Sequence, residues 1–267
     1  MEGPSLYLAA EQLKPFKKKK VLAVAGNTSI EKERMSGKEV RDIFAWGKHL
    51  VFQFDTFALR VHFLLFGTFE AQVDTVWVTG DYRRTRTPRL SLTFNNGVIH
   101  IFNGSIKFIE SPRAKQDYDF SIDIMSPKWD AAKTLKNMRT MPNEEIADVL
   151  LDQTIFAGVG NIIKNEVLFM MFVNPTEKIA AISPTKLKKI IIKTHTFSKQ
   201  FFRWRKKFEL VKHLKAHRKG VCPHCGKKMV REKTGKRMRW AYWCPVDQAL
   251  RAEIKQDRYI RKMSSRL

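Results

Sequence analysis

The sequence predicts an α+β fold: an N-terminal β-sandwich with a leading helix, then a helical domain that ends in a metal-binding β-hairpin. Three observations carry that reading. From Gly37 to about Glu110 the apolar residues fall in short runs with alternation or β-branched enrichment, as strands require. Beyond Ser126 they recur at helical spacing. All three cysteines lie within residues 222–244, where Cys222-Pro-His-Cys225 and Cys244-Pro-Val-Asp247 have the layout of a zinc ribbon. A chain of 267 residues holds one large or two modest domains with real cores.

Residues 4–14 read as a short helix, with Pro4 suited to the first turn and Pro15 closing it. Leu50-Val-Phe-Gln-Phe54, Ala58-Leu-Arg-Val-His-Phe63, Leu90-Ser-Leu-Thr-Phe94 and Val98-Ile-His-Ile-Phe102 read as strands. Asn95-Asn-Gly97 is a strong turn between the last two. The Pro, Ser and Asp content of residues 111–126 marks a linker. Helices are predicted over 127–139, 143–151 and 161–171. A long one runs from the Ser183-Pro184 cap to about Phe208. The resulting divisions are a sandwich domain at 1–115, a helical domain at 126–215, a hairpin at 218–250 and a basic tail at 251–267.

Lys and Arg number 50 against 26 Asp and Glu, a formal net charge of +24. That surplus predicts salt-sensitive attraction to a polyanion through counterion release. By itself it does not separate DNA from RNA, ribosome or anionic membrane. No apolar run approaches the roughly 20 residues that span a bilayer. Leu6 to Ala10 is too short for a signal peptide, and its basic residues follow rather than precede it. Three clustered cysteines suit a reducing compartment and a metal site. The expected setting is cytosolic, or nucleoid-associated in a bacterium, without membrane association.

The most informative stretch is Leu150 to Leu168. It reads as a helix end, a turn holding Gly158 and Gly160, and a second helix opening at Asn161. Glycines ahead of a helix let another backbone approach, and the helix start offers free N–H groups to an anion. Leu151, Asp152, Gln153, Ala157, Gly158, Gly160, Asn161, Glu166, Leu168 and Phe169 together resemble the helix–two-turn–helix of the formamidopyrimidine-DNA glycosylase/endonuclease VIII family.

The resemblance extends over residues 1–250. Arg239 stands five residues before Cys244, where the family places an Arg that grips phosphates together with the Asn matched here by Asn161. The alternative is one more solvated cation among Lys233, Lys236 and Arg237. Trp46-Gly47-Lys48-His49-Leu50 matches a Gly-Lys strand start whose Lys contacts phosphate near the reacting sugar. His62-Phe-Leu-Leu-Phe-Gly67 matches a segment whose fourth residue, Leu65 here, fills the space left by an everted nucleotide, with Leu64 and Phe66 flanking it. Without the resemblance these three are ordinary strand residues.

Two departures stand out. An Asp-Pro-Arg-Arg-Phe-Gly loop of the purine-specific members is replaced by Gly104-Ser-Ile-Lys-Phe-Ile109, which moves the chain toward the endonuclease VIII branch and oxidised pyrimidines. The family's N-terminal Pro-Glu is replaced by Met1-Glu2. Ahead of Glu2 the initiator Met1 is expected to remain. Its α-amine, with a reference pKa of about 7.7–8.0 against about 10.4 for Lys, is partly neutral near pH 7 and able to form a Schiff base. Glu2 would then shuttle protons.

The resemblance therefore implies a monomeric base-excision repair glycosylase and abasic-site lyase that holds damaged double-stranded DNA between its domains. Met1, Glu2 and Lys48 would act at the sugar. One zinc ion would sit on Cys222, Cys225, Cys244 and Asp247, although His224 or water competes with Asp247 for the fourth position. Two other readings compete: a protein that binds abasic or kinked DNA without chemistry, and an RNA- or ribosome-associated zinc protein.

Overall fold

The computed structural model describes residues 1–79 and 87–250, apart from the side chains of Leu65 and Thr79. The chain divides into two compact units, one covering Met1–Ser126 and one beginning at Pro127. The tail at 251–267 lies outside the described residues. Among the described residues no helix is long and apolar enough to cross a membrane.

The first unit opens with α1 (Gly3–Gln12), which carries Pro in its first turn. Leu6, Ala9 and Leu13 are fully buried in the main core. The described strands are β1 (Ala23–Ala25), β2 (Asp42–Trp46), β3 (His49–Gln53), β4 (Ala58–Val73), β5 (Val76–Thr79), β6 (Leu90–Phe94) and β7 (Gly97–Ile109). They pair antiparallel in the order β1-β6-β7-β4-β3-β2, with β5 on β4.

β4 and β7 are long enough to serve two layers. Residues 58–63 of β4 pair with β3 and with residues 104–109, whereas residues 68–73 pair with β5 and with residues 97–102. Side chains from both halves, including Phe52, Phe54, Phe69, Leu92 and Ile101, share one core with α1. The layers of the expected sandwich are thus joined into one continuously hydrogen-bonded sheet. Each fully buried Phe or Leu in it contributes about 1.5–3 kcal/mol.

The Asn95-Asn96 turn forms as the sequence predicts, with Phe94 paired to Gly97. Gly97 has φ 140°, and a Cβ there would lie 1.8 Å from the Gln72 carbonyl oxygen, so only glycine fits. Residues 111–126, expected as a linker, are anchored to the first unit. The Gln53 side chain donates to Ser111 O (3.0 Å) and accepts from Ala114 N (2.9 Å). Asp123 is fully buried.

In the second unit α2 (Ala131–Arg139) starts four residues later than expected, because the Asp130 side chain accepts from Ala132 N and Lys133 N and caps it there. α3 (Ile146–Leu150), α4 (Asn161–Met170), α5 (Pro184–Lys206) and α6 (Leu210–His213) follow. Ser183 caps α5, which buries Leu187, Ile190, Ile191, Thr194, Phe197 and Phe201 along one stripe. β8 (Val230–Thr234) and β9 (Arg239–Trp243) form the hairpin, and β9 packs on α4.

Each unit holds a half-buried histidine. Burial, reinforced by nearby cations, holds His49 and His217 down to about 4. The Asn165 amide donates to His217 Nδ1 (3.0 Å), which fixes that nitrogen as an acceptor. A depressed folded value contributes stability that is complete above the unfolded value near 6.5 and is lost as pH falls toward 4. The thermal midpoint should therefore decline across pH 6.5 to 4. His49→Phe should flatten the first unit's share of that decline, since His49 Nδ1 is a buried atom with no hydrogen-bond partner among the described residues to lose. An unchanged acid profile in that variant would show that His49 is not the responsible group.

Candidate functional site

In the first unit the expected residues gather around two turns. Met1 and Glu2 immediately precede α1; Glu2 is buried and its carbonyl accepts from Ser5 N and Leu6 N, while the Met1 side chain packs on the core. Gly47 and Lys48 form the two-residue turn that closes the Trp46–His49 pair, with Gly47 at φ 53° as such a tight turn demands. His49, next to Lys48, pairs across the sheet with His62, and their rings lie 5.7 Å apart. Burial first, then the Lys48 ammonium, the N-terminal amine and Arg60, push the His62 imidazole below its ordinary value. The imidazole thus lies within electrostatic reach of both Lys48 and the Met1 amine.

The segment after His62 leaves the sheet. The register shifts between Phe63–Gly104 and Thr68–Phe102, so four β4 residues, Leu64 to Gly67, face only Asn103. Phe66 takes φ 67° and Asn103 φ 48°. A bulky residue at positive φ is uncommon and costs about 1–3 kcal/mol. Leu64 is 46% and Phe66 64% exposed, which sets both apart from core strand residues. The Leu65 side chain lies outside the described set. A Cβ on Gly67 would meet Asn103 O at 2.6 Å and Leu64 N at 2.9 Å, so the bulge closes only on glycine.

Gly104 to Ile109 runs as paired strand, with no loop at the position where the resemblance places one. Phe108 packs edge-on against Phe57 (5.2 Å) beneath the Arg34 guanidinium.

In the second unit the turn between α3 and α4 is stapled by Gln153. Its amide donates to Leu151 O (2.8 Å) and Val159 O (3.1 Å) and accepts from Gly158 N (3.1 Å). Gly158 has φ 102°, and Gly160 is the residue preceding α4. Asn161 opens the helix, and its Oδ1 is buried without a hydrogen-bond partner among the described residues.

The hairpin is fixed to this turn region. Asp148 of α3 accepts Lys236 N (2.6 Å) and Arg237 N (3.3 Å), against Gly235 at φ 67°. Trp240 O accepts from the fully buried Lys164 (3.1 Å) and from Asn165 (3.4 Å), both on α4. The four neighbouring cations are therefore not equivalent. Lys236 pairs with Glu144 (2.5 Å), Arg237 with Asp152 (2.9 Å), and Lys233 lies 5.6 Å over the Trp240 ring. Arg239 is exposed, with no side-chain partner among the described residues.

Cys222, Cys225, Cys244 and Asp247 bring their donor atoms within 4.8 Å of one another. Cys222 Sγ is 3.1 Å from Asp247 Oδ2, and Cys225 Sγ is 3.4 Å from Cys244 Sγ. The backbone N–H groups of His224 and Asp247 point at Cys222 and Cys244 sulfurs. Burial pushes the Cys244 thiol up to about 12, so its thiolate calls for a cation alongside. This set can hold a metal, and structural zinc accepts such donors at about 2.3 Å for sulfur and about 2.0–2.2 Å for carboxylate oxygen. His224 does not join it: its ring stacks on Phe169 (4.7 Å) while Nδ1 reaches Asp247 (3.4 Å).

Comparison with known proteins agrees with this arrangement. Residues 122–199 match the formamidopyrimidine-DNA glycosylase H2TH domain. Endonuclease 8-like 3 of Mus musculus is 30% identical over 202 residues, 74% of this chain and 33% of that protein. Endonuclease 8 2 of Mycobacterium tuberculosis is 25% identical over 229 residues, 80% of this chain and 85% of that protein. The chain belongs to the formamidopyrimidine-DNA glycosylase/endonuclease VIII family. The family fold extends through nearly all of it. The crystal structure of Lactococcus lactis formamidopyrimidine-DNA glycosylase bound to DNA containing an abasic site superposes with a TM-score of 0.78 at 20% identity, over 93% of this chain and 100% of that one. The chain spans about a third of the length of the mouse relative it matches.

The donor set makes a direct prediction. Loading with Co2+ should give thiolate-to-metal absorption that Cys244→Ser abolishes. Asp247→Ala should weaken zinc affinity at least tenfold, and His224→Phe should leave it nearly unchanged. A large loss in His224→Phe alone would transfer the fourth position to His224.

Proposed function

We propose that this chain is a base-excision repair DNA glycosylase with abasic-site lyase activity, working through the α-amine of Met1. The observation that carries the reading is the family match together with the placement of Met1 and Glu2 at the start of α1 and of Lys48 in the β2–β3 turn of the same compact unit. A free α-amine loses its proton at a lower pH than Lys does, so it supplies the nucleophile near neutrality. Attack of that amine on C1′ breaks the bond to the base, and a proton delivered through Glu2 lets the base leave. The sugar ring opens to an imine. Loss of a C2′ proton then expels the 3′ phosphate and cleaves the strand.

The other residues have roles that suit their geometry. Lys48 contacts the phosphate beside the reacting sugar. Leu64, Leu65 and Phe66 fill the space of the everted nucleotide, a role supported by the exposure of Leu64 and Phe66 on a bulge clear of sheet pairing. Asn161, with the Gly160 amide in the turn that Gly158 shapes, and Arg239 grip the phosphates. Asn161 would donate to a phosphate from its side-chain nitrogen, and Arg239 offers an exposed guanidinium with no side-chain partner among the described residues. Zinc on the three cysteines and Asp247 would hold the hairpin that carries Arg239. The uninterrupted strand at residues 104–109 supports oxidised pyrimidines over purines as substrates. The partner is damaged double-stranded DNA, bound by a monomer.

Borohydride trapping on a duplex with one abasic site tests the mechanism. A covalent adduct is expected with the wild-type chain and none after acetylation of the Met1 amine, whose presence an intact mass verifies. Glu2→Gln should slow adduct formation by about a hundredfold. Binding without any adduct or nicking would leave a damage-binding protein instead. Arg239→Ala should weaken binding to every DNA sequence alike and reduce the salt-dependence slope by about one. Loss of binding to one sequence only would argue against a phosphate contact.

A further inference from the structure

Asp123 is a fully buried carboxylate, and burial raises its pKa above the usual range. Such a group is costly unless its oxygens are satisfied. Here they are. Oδ2 accepts the Tyr7 hydroxyl at 2.9 Å and Gly47 N at 3.0 Å, while Oδ1 accepts Met125 N at 2.9 Å.

Two of those donors belong to the segments that carry the proposed chemistry. Tyr7 lies on α1, whose start presents Met1 and Glu2, and Gly47 is the other half of the Lys48 turn. The two segments are far apart along the chain, and the one Asp123 carboxylate holds both. We propose that Asp123 and Tyr7 are positioning residues that set the spacing between the Met1 amine and the Lys48 ammonium. This rests on the catalytic reading above. If stability alone were at stake, an apolar side chain of similar volume would serve the interior at least as well. A misplacement of about 1 Å between reacting groups can cost about a hundredfold in rate.

Tyr7→Phe removes only the hydroxyl and is the decisive variant, with Asp123→Asn as its companion. In the full chain, affinity for a duplex carrying a tetrahydrofuran abasic analogue should stay within twofold. The single-turnover rate of the borohydride-trapped adduct should fall about tenfold. A rate that stays at the wild-type value, or falls only in step with affinity, overturns the proposal.

A second readout needs no activity. His62 pairs across the sheet with His49, and Lys48, the N-terminal amine and Arg60 are the charges that bear on its imidazole. Its imidazole titration, followed by NMR, should shift when Lys48→Met is introduced into the wild-type chain, and shift clearly less when it is introduced into Tyr7→Phe. Equal shifts in the two backgrounds overturn the proposal. If wild type forms no adduct yet the two shifts differ, the lyase reading fails while the positioning role stands.

Discussion

Glu166, buried within α4, accepts the backbone N–H groups of Lys215, Ala216 and His217 at 2.7–2.9 Å, and so ties the approach to the hairpin onto the helix that opens at Asn161. Asp148 does the same for the hairpin turn, and Asp123 for the Lys48 turn. Hydrogen bonds to a charged acceptor contribute about 1.5–3 kcal/mol each, and their geometry is narrow. In a chain with 26 acidic residues against 50 basic ones, several of the scarce carboxylates are spent inside, on backbone amides. The cationic surplus is left to face outward.

That division explains why the hairpin offers one distinguished cation rather than a diffuse patch. Glu144 and Asp152 each neutralise a hairpin-turn cation, and the Trp240 carbonyl is gripped by two α4 side chains. Arg239 follows directly, on a strand with little freedom to move relative to α4. The cysteine cluster at the far end of the hairpin and Asp148 at its tip therefore frame the same short ribbon from opposite ends.

Local chemistry was legible in the sequence. The Asn-Gly turn, the Ser-Pro start of α5, the glycines before α4 and the cysteine spacing each encode their geometry within a few residues, and each appears as read. What escaped reading was whatever needs partners far apart along the chain. Tyr7 and Asp123 are separated by 116 positions, and Asp148 and Lys236 by 88, so no periodicity connects them. β2 was missed because Ile43, Phe44 and Ala45 are all buried, which erases alternation. The bulge in β4 also escaped reading, since His62 to Phe66 has the composition of continuing strand.

Gly67 gives the bulge a property of its own. Its missing Cβ is demanded by the backbone of Asn103 and Leu64, so the hinge of the loop is closed to substitution. Leu64 and Phe66, by contrast, are exposed on the loop. Mutational drift can therefore change what the loop presents while leaving the sheet beneath it intact. The loop thus pairs a fixed backbone hinge with a surface whose side chains can vary.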